Sequence, residues 1–123
     1  MDLRACYMNF GGDYDTVLCR LRREEIIQKF VYKFLDDKSF QLLETSIENK
    51  DYEEALRAVH TLKGICQNFS FTRLFESSDA MTKLFKAGDY KKAVAMMPQV
   101  SDDYLSTIHA IKEYKMSKEA QRP

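Results

Sequence analysis

The sequence predicts an all-α protein: an up-down antiparallel four-helix bundle with a short extra N-terminal helix. Apolar residues recur at the three- and four-residue spacing of a helix face along most of the chain. Only 4 Gly and 2 Pro occur in 123 residues, which is too few for a turn-rich β fold. No segment alternates apolar and polar residues for long enough to indicate a strand. These observations together favour packed helices.

The first two helical elements are marked by a helix stop signal and by an apolar stripe. Gly11 and Gly12 followed by Asp13 form a signal that ends one helix and begins the next, so a short helix is expected near residues 14–22. An apolar stripe predicts the next element near residues 24–50. The DDKS segment is expected to bend or break this element, with Ser39 as a possible N-cap.

The later boundaries also have a chemical basis. Asp51 can accept hydrogen bonds from free backbone N–H groups at a helix start, and Gly88 followed by Asp89 can separate two helices. Pro98 removes a backbone donor and is expected to kink or split the last helix. Because the connections are short, neighbouring helices are expected to pack antiparallel. The remaining elements are expected near residues 52–70, 72–87 and 90–114.

An Asp-Tyr dipeptide recurs at positions 13, 51 and 89, at an even spacing of 38 residues. Helical repeat arrays show self-similarity of this kind, with a period of about 34 residues in tetratricopeptide repeats. The rest of that repeat pattern is absent from the chain. We therefore favour the interpretation that each aspartate caps a helix and each tyrosine packs in its first turn.

The length is that of one domain. We expect a single domain over residues 1–123, with its core over roughly 8–114 and with loose ends at 1–7 and 115–123. Lys plus Arg and Asp plus Glu number 19 each, so the formal net charge is zero. A neutral chain lacks the basic surface of a general nucleic-acid binder. No nucleic-acid partner is therefore expected.

The cellular compartment is suggested by the spacing of three cysteines and by the short length of the apolar runs. Cys6, Cys19 and Cys66 form no CxxC pair, and their odd number and wide spacing indicate free thiols in a reducing compartment. No apolar run approaches the roughly 18–20 residues of a membrane span. The N-terminal segment does not resemble a signal peptide. We therefore predict a cytoplasmic protein with no membrane partner.

One group of residues on the 52–70 element suggests chemistry. On a helix at about 100° per residue, Val59, Leu62 and Cys66 form the apolar side, and His60 falls far from its centre. Lys63, Gly64 and Gln67 share the stripe of His60, one and two turns further on. His60 is therefore expected to face solvent. The second histidine, His109, has no glycine one turn away to leave space beside it, and we interpret it as an ordinary helical residue.

Gly64 is the informative residue of this group, because Gly inside a helix costs about 1 kcal/mol relative to Ala. An empty position one turn from His60 leaves room for a large partner. The imidazole is then a candidate nucleophile toward an anionic group, most simply a phosphoryl group. Lys63 can offset the negative charge of that group, and Gln67 can donate a hydrogen bond to it.

Apolar residues border this stripe, as expected where another protein docks. Leu56 lies one turn before His60, and Phe71 is expected to project near the same side. The candidate partner-binding residues are therefore Leu56, Arg57 and Phe71.

The HTLKG segment at residues 60–64 resembles the core motif of histidine-containing phosphotransfer (HPt) domains. Further similarity lies upstream in GGDYDTVLCRL and FLDDKSFQLLETSIENKDYEEAL and downstream in the helix at residues 104–111, so that it spans roughly 8–114. The chain departs from the family pattern at Ser70, where members often have Gly, and at Thr82, where some carry Gln.

The resemblance implies an activity and partners. In that family the histidine is reversibly phosphorylated and relays the group between receiver-domain aspartates. By its match to the motif, His60 is the residue that accepts the phosphoryl group. Lys63 matches the position that stabilises the charge of that group, and Gly64 matches the position that leaves space for the partner. The implied partners are a response-regulator receiver domain, a hybrid histidine kinase, or both, with the chain acting as a monomer. Mg²⁺ is expected from the receiver domain, and no cofactor of the chain's own is expected.

Two alternative functions differ from this one in the chemistry that they require. A helical protein–protein adaptor would use the same surface without phosphoryl transfer. A hydrolase with His60 as base would need a nucleophile and an orienting carboxylate, which the HTLKG stripe does not offer. The chain has no GxxxxGK[ST] loop, no kinase glycine loop and no cluster of metal ligands. We therefore expect a phosphohistidine carrier without independent kinase activity.

Overall fold

The computed structural model of the protein describes residues 1–121, and within that range it is all-α. No strand occurs among these residues, and no helix there is long and apolar enough to cross a membrane. The predicted helical fold class is confirmed, while the up-down order of the helices stays a prediction. The eight helices of the described range are α1 (Leu3–Phe10), α2 (Tyr14–Leu21), α3 (Glu24–Phe34), α4 (Ser39–Glu48), α5 (Tyr52–Asn68), α6 (Thr72–Lys86), α7 (Tyr90–Ala95) and α8 (Met97–Ala120).

The three Asp-Tyr dipeptides all begin helices. In each, the tyrosine is the first helical residue and the aspartate carboxylate accepts a hydrogen bond from the backbone N–H three residues on. The three distances are 3.1, 3.2 and 3.3 Å, for Asp13, Asp51 and Asp89 respectively. The regular spacing of the dipeptide is therefore accounted for by helix capping.

The helices are interrupted where the sequence predicted, with one correction at Ser39. Residues 35–38 separate α3 from α4, but Ser39 is the first residue of α4 and not its N-cap. The Asp37 carboxylate accepts the Ser39 backbone N–H at 2.9 Å and so performs the capping. Pro98 stands in the first turn of α8, where its missing N–H leaves no hydrogen bond unmade, and it splits the predicted last helix into α7 and α8.

The prediction of loose ends at residues 1–7 and 115–123 is wrong over most of both ranges. Residues 3–7 belong to α1, which packs on α8, and α8 continues to residue 120. Leu3, Cys6, Tyr7 and Phe10 are buried because they share one face of α1. The Tyr7 hydroxyl donates a hydrogen bond to the Phe69 carbonyl at 2.9 Å and so ties α1 to the end of α5. The last two residues, 122 and 123, lie outside the described range.

Helix α5 lies against α4 on one side and α6 on the other. Its apolar stripe forms part of one continuous core, so its remaining face is directed away from that core. The buried residues of α5 are Ala55, Ala58, Val59, Leu62 and Cys66. This packing decides which side chains of α5 are available to a partner.

The turn from α5 to α6 depends on a left-handed residue. Ser70 has a φ of 58°, a conformation that favours glycine, at the position where the sequence departs from the family's common Gly. Its carbonyl accepts the Asp13 backbone N–H at 2.8 Å, which links the turn to the start of α2. The turn then directs Phe71 into the core, where its ring contacts those of Tyr7, Phe10 and Phe34.

Replacing Leu3 with Ala should destabilise the protein by about 2–5 kcal/mol, because it opens a cavity beneath α1. Met8→Ala is the matched control, since Met8 lies on the same helix with 72% of its surface exposed and should change the stability little. Urea unfolding followed by circular dichroism measures both. Equal midpoints for the two variants would mean that α1 does not contribute to the folded core.

Replacing Ser70 with Gly should stabilise the protein by about 0.5–1 kcal/mol, because the positive φ is strained for any residue with a Cβ. Ser70→Ala is the control, because it removes the hydroxyl but keeps the Cβ and hence the strain. Thermal unfolding should show a higher midpoint for the glycine variant only. A gain of the same size in the alanine variant would contradict the backbone explanation.

Candidate functional site

His60 lies in the interior of α5 and its side chain is exposed. The nearby Val59 and Leu62 are buried on the opposite side of the helix, so the helix itself directs the imidazole away from the core. Within residues 1–121 neither a hydrogen bond nor an ion pair holds the ring. The exposure predicted for this side chain is therefore present, and both ring nitrogens are free to meet a partner.

Gly64 leaves open space one turn from His60. A Cβ built at this position would meet no atom within 4 Å, and the backbone there does not need a positive φ. Neither close packing nor backbone conformation within the described chain therefore requires glycine. The effect of glycine at this position is to leave open space beside His60, as the sequence predicted.

Lys63 does not stand free beside His60. Its Nζ lies 3.5 Å from Oδ1 of Asp79 on α6, and only 21% of each side chain is exposed. The other carboxylate oxygen of Asp79, Oδ2, lies 2.9 Å from Nζ of Lys83, one turn further along α6. The cation predicted for the site is therefore present but paired across the α5–α6 contact.

The two lysines alter the acidity of Asp79. Hydrogen bonding to Lys83 lowers the pKa of the Asp79 carboxyl below its usual value, and the Lys83 charge and the contacts with Lys63 lower it further. The carboxylate is therefore ionised near neutral pH and has no proton to donate as a general acid. Sequence reasoning missed Asp79; its four-residue spacing to Lys83 was visible, but the sequence does not show that Lys63 faces it.

Gln67 lies two turns beyond His60 and is exposed, as predicted. Its backbone carbonyl accepts a hydrogen bond from Nη1 of Arg20 at 3.0 Å, and the Asn68 carbonyl accepts one from the same nitrogen at 2.7 Å. Arg20 of α2 thus binds the carbonyl groups of the last two residues of α5, where a positive charge is favourable. Sequence reasoning did not identify this contact.

The predicted apolar border of the site is only partly present. Leu56 is half-buried, and Arg57 is exposed with its guanidinium 2.9 Å from Glu54 and 3.3 Å from Glu53. Phe71 is fully buried, so its prediction as a partner-binding residue is wrong. The sequence-based helix ran to residue 70, whereas α5 ends at Asn68 and the following turn directs the Phe71 ring inward.

Thr82 is also directed inward. It is 1% exposed, and its hydroxyl donates a hydrogen bond to the Ser78 carbonyl at 2.7 Å. The position at which some family members carry Gln therefore offers no polar group to the exposed face of α5 in this chain. The polar contribution of α6 comes instead from Asp79, one turn earlier.

A groove of about 400 Å³ runs between α4 and α5 beside the site. Leu42, Arg57 and Thr61 contribute to its walls, whereas His60 does not. His60 therefore stands on an open helix surface next to a groove, and within residues 1–121 no carboxylate is paired with its ring. Among residues 1–121, no group of three or more His, Cys, Asp or Glu side chains is placed to hold a metal ion.

A family model described as the Hpt domain matches residues 33–113, which is about two thirds of the chain and includes all of α5 and α6. No curated protein and no solved structure matches the chain.

Replacing Gly64 with Ala should stabilise the protein by about 1 kcal/mol, because the new methyl group meets open space and Ala is the better helix former. Gly88→Ala is the matched control: the space there is also open, but its φ of 76° makes any other residue strained, so this variant should be less stable. Chemical unfolding measures both free energies. A destabilised Gly64→Ala variant would show that glycine serves the fold at this position.

Proposed function

The chain belongs to the Hpt domain family, and from this premise we propose that it accepts a phosphoryl group on His60 and passes it to or from a receiver-domain aspartate. Membership in the family implies histidine phosphotransfer within a phosphorelay. The observation that carries the finer assignment is the exposed imidazole of His60 beside the open space at Gly64.

In the proposed step, an imidazole nitrogen of His60 attacks the phosphorus of an aspartyl phosphate. The N–P bond forms as the bond between phosphorus and the acyl oxygen breaks, and the aspartate leaves as a carboxylate. The other ring nitrogen is exposed to solvent, so its proton can exchange with water. Transfer from His60 back to aspartate is the reverse of the same step.

The chain's own contribution to this step is position and charge. The rigid interior of α5 presents the imidazole to the incoming phosphorus, and positioning is a large part of catalysis in phosphoryl transfer. The Lys63 ammonium, one turn away, can offset the charge of the phosphoryl oxygens. Gln67 is proposed as a hydrogen-bond donor at the far side of the opening. We propose that the receiver domain supplies the Mg²⁺.

The partner is proposed to be the receiver domain of a response regulator, a hybrid histidine kinase, or both. Leu56 and Arg57 border His60 on its N-terminal side, and the groove between α4 and α5 adjoins them. An exposed surface with an apolar part and a charged edge is suited to docking another protein. Phe71 has no part in this surface because it is buried.

His60→Gln should lose the phosphoryl label entirely, because Gln lacks a nucleophilic ring nitrogen. The measurement mixes the chain with a phosphorylated receiver or a kinase donor and looks for label that is acid-labile and alkali-stable. His109→Gln is the matched control, since His109 is the other histidine, is exposed, and pairs with Glu113 at 3.4 Å on α8. That variant should be labelled like the natural chain.

Two outcomes would contradict the assignment to His60. Label that persists in His60→Gln would place the phosphoryl group elsewhere. A chain that binds receivers tightly but takes no label from any donor would support the adaptor alternative.

Gly64→Leu should slow phosphoryl transfer by at least about tenfold, equivalent to 1.4 kcal/mol in the barrier, because the larger side chain fills the approach to His60. The measurement is the initial rate of transfer from a phosphorylated receiver. Lys112→Leu, at an exposed position on α8, controls for the effect of adding an exposed leucine to a helix. A folded Gly64→Leu variant with a normal rate would disprove the clearance argument.

A further inference from the structure

Asp79 on α6 is paired with two lysines, Lys63 on α5 and Lys83 on its own helix. Asp79 has two cations, and the shorter contact of 2.9 Å is with Lys83, whose side chain is 75% exposed. The longer contact of 3.5 Å is with Lys63, whose side chain is 21% exposed. Lys83 therefore contacts a different oxygen of the carboxylate from the one that Lys63 contacts.

Lys63 lies near two groups that attract a cation: the Asp79 carboxylate and the phosphoryl group proposed for His60. It lies three residues after His60 on the same helix, and residues at this spacing are neighbours on a helix surface, with Cβ atoms about 5–6 Å apart. A phosphoryl group carries about −1.5 to −2 charges at pH 7, compared with −1 for the Asp79 carboxylate. A flexible four-carbon side chain allows the ammonium to exchange one anion for the other.

We propose that Asp79 is a positioning residue: it holds the Lys63 ammonium on the α6 side while His60 is unphosphorylated and releases it toward the phosphoryl group once His60 carries one. Lys83 remains with Asp79 throughout, so the release leaves no uncompensated carboxylate. This inference rests on the proposed function of His60 and adds to it a mechanism that sets how strongly the chain holds its phosphoryl group.

The mechanism fixes the sign of each effect on the equilibrium between phosphorylated His60 and a phosphorylated receiver. Asp79 competes with the phosphoryl group for Lys63, so Asp79→Asn should shift the equilibrium toward phosphorylated His60. Lys83→Ala should shift it the other way, because the Asp79 carboxylate then depends on Lys63 alone. Interactions between partly exposed charges are modest, so a two- to fivefold change is expected, on the order of the known range for such pairs.

A double-mutant comparison separates positioning from direct repulsion between Asp79 and the phosphoryl group. If Asp79 acts through Lys63, the effect of Asp79→Asn should be lost in a chain that already carries Lys63→Ala. If Asp79 acts by direct repulsion, the effect should be the same in both backgrounds. The equilibrium is measured as the ratio of labelled chain to labelled receiver once transfer between the two proteins has reached a constant level.

A second readout uses the chain without any phosphoryl donor. The pKa of Asp79, followed by carboxyl ¹³C NMR, should rise in Lys63→Ala and in Lys83→Ala, because each removes a cation that favours the carboxylate. An unchanged pKa in Lys63→Ala would show that the pair is not formed in solution and would overturn the proposal.

The outcomes distinguish this proposal from the one on which it rests. If His60 takes no label, both proposals fail. If His60 is labelled in every variant but Asp79→Asn leaves the equilibrium unchanged, or shifts it equally with and without Lys63, the phosphotransfer function stands and the positioning role of Asp79 is wrong. A shift toward phosphorylated His60 that disappears with Lys63→Ala supports it.

Discussion

The burial of one face of α5 between its neighbours is the constraint on which the rest of the site depends. Val59, Leu62 and Cys66 are fully buried, and hydrophobic burial of this kind is the main contribution to holding a helix in place. Because side chains on a helix keep fixed angular relations, burying this stripe determines that His60 faces outward. The site is thus a consequence of core packing.

The C-terminal end of α5 is held by contacts from distant parts of the chain, and its N-terminal end is held by a local cap. Arg20 of α2 binds the last carbonyl groups of α5, and Tyr7 of α1 binds the Phe69 carbonyl just beyond them. Asp51 caps the first turn. A helix fixed at both ends and along one face presents its exposed residues with little freedom, which suits a residue that must meet a reacting group in a defined geometry.

The lysine beside His60 is not free but paired with a carboxylate. Lys63 shares Asp79 with Lys83, and the cluster joins α5 to α6 at the edge of the exposed face. A partly exposed ion pair contributes little to stability. Its more informative property is that it holds Lys63, a cation three residues from His60, against α6.

The sequence by itself determined the helical class, most helix boundaries and the outward direction of His60, because apolar periodicity and capping residues act locally. Asp13, Asp51 and Asp89 cap their helices through contacts only three residues away, and the stripe opposite His60 is visible in the spacing of Val59, Leu62 and Cys66. The face formed by Leu3, Tyr7 and Phe10 was not predicted from the sequence, because its burial needs α8, which begins more than 80 residues further along the chain. Only the tertiary structure decided that Phe71 lies in the core and that Lys63 pairs with Asp79. Both depend on the turn at Ser70 and on the rotation of α6 against α5, which arise from packing between elements and leave no local pattern in the residues involved.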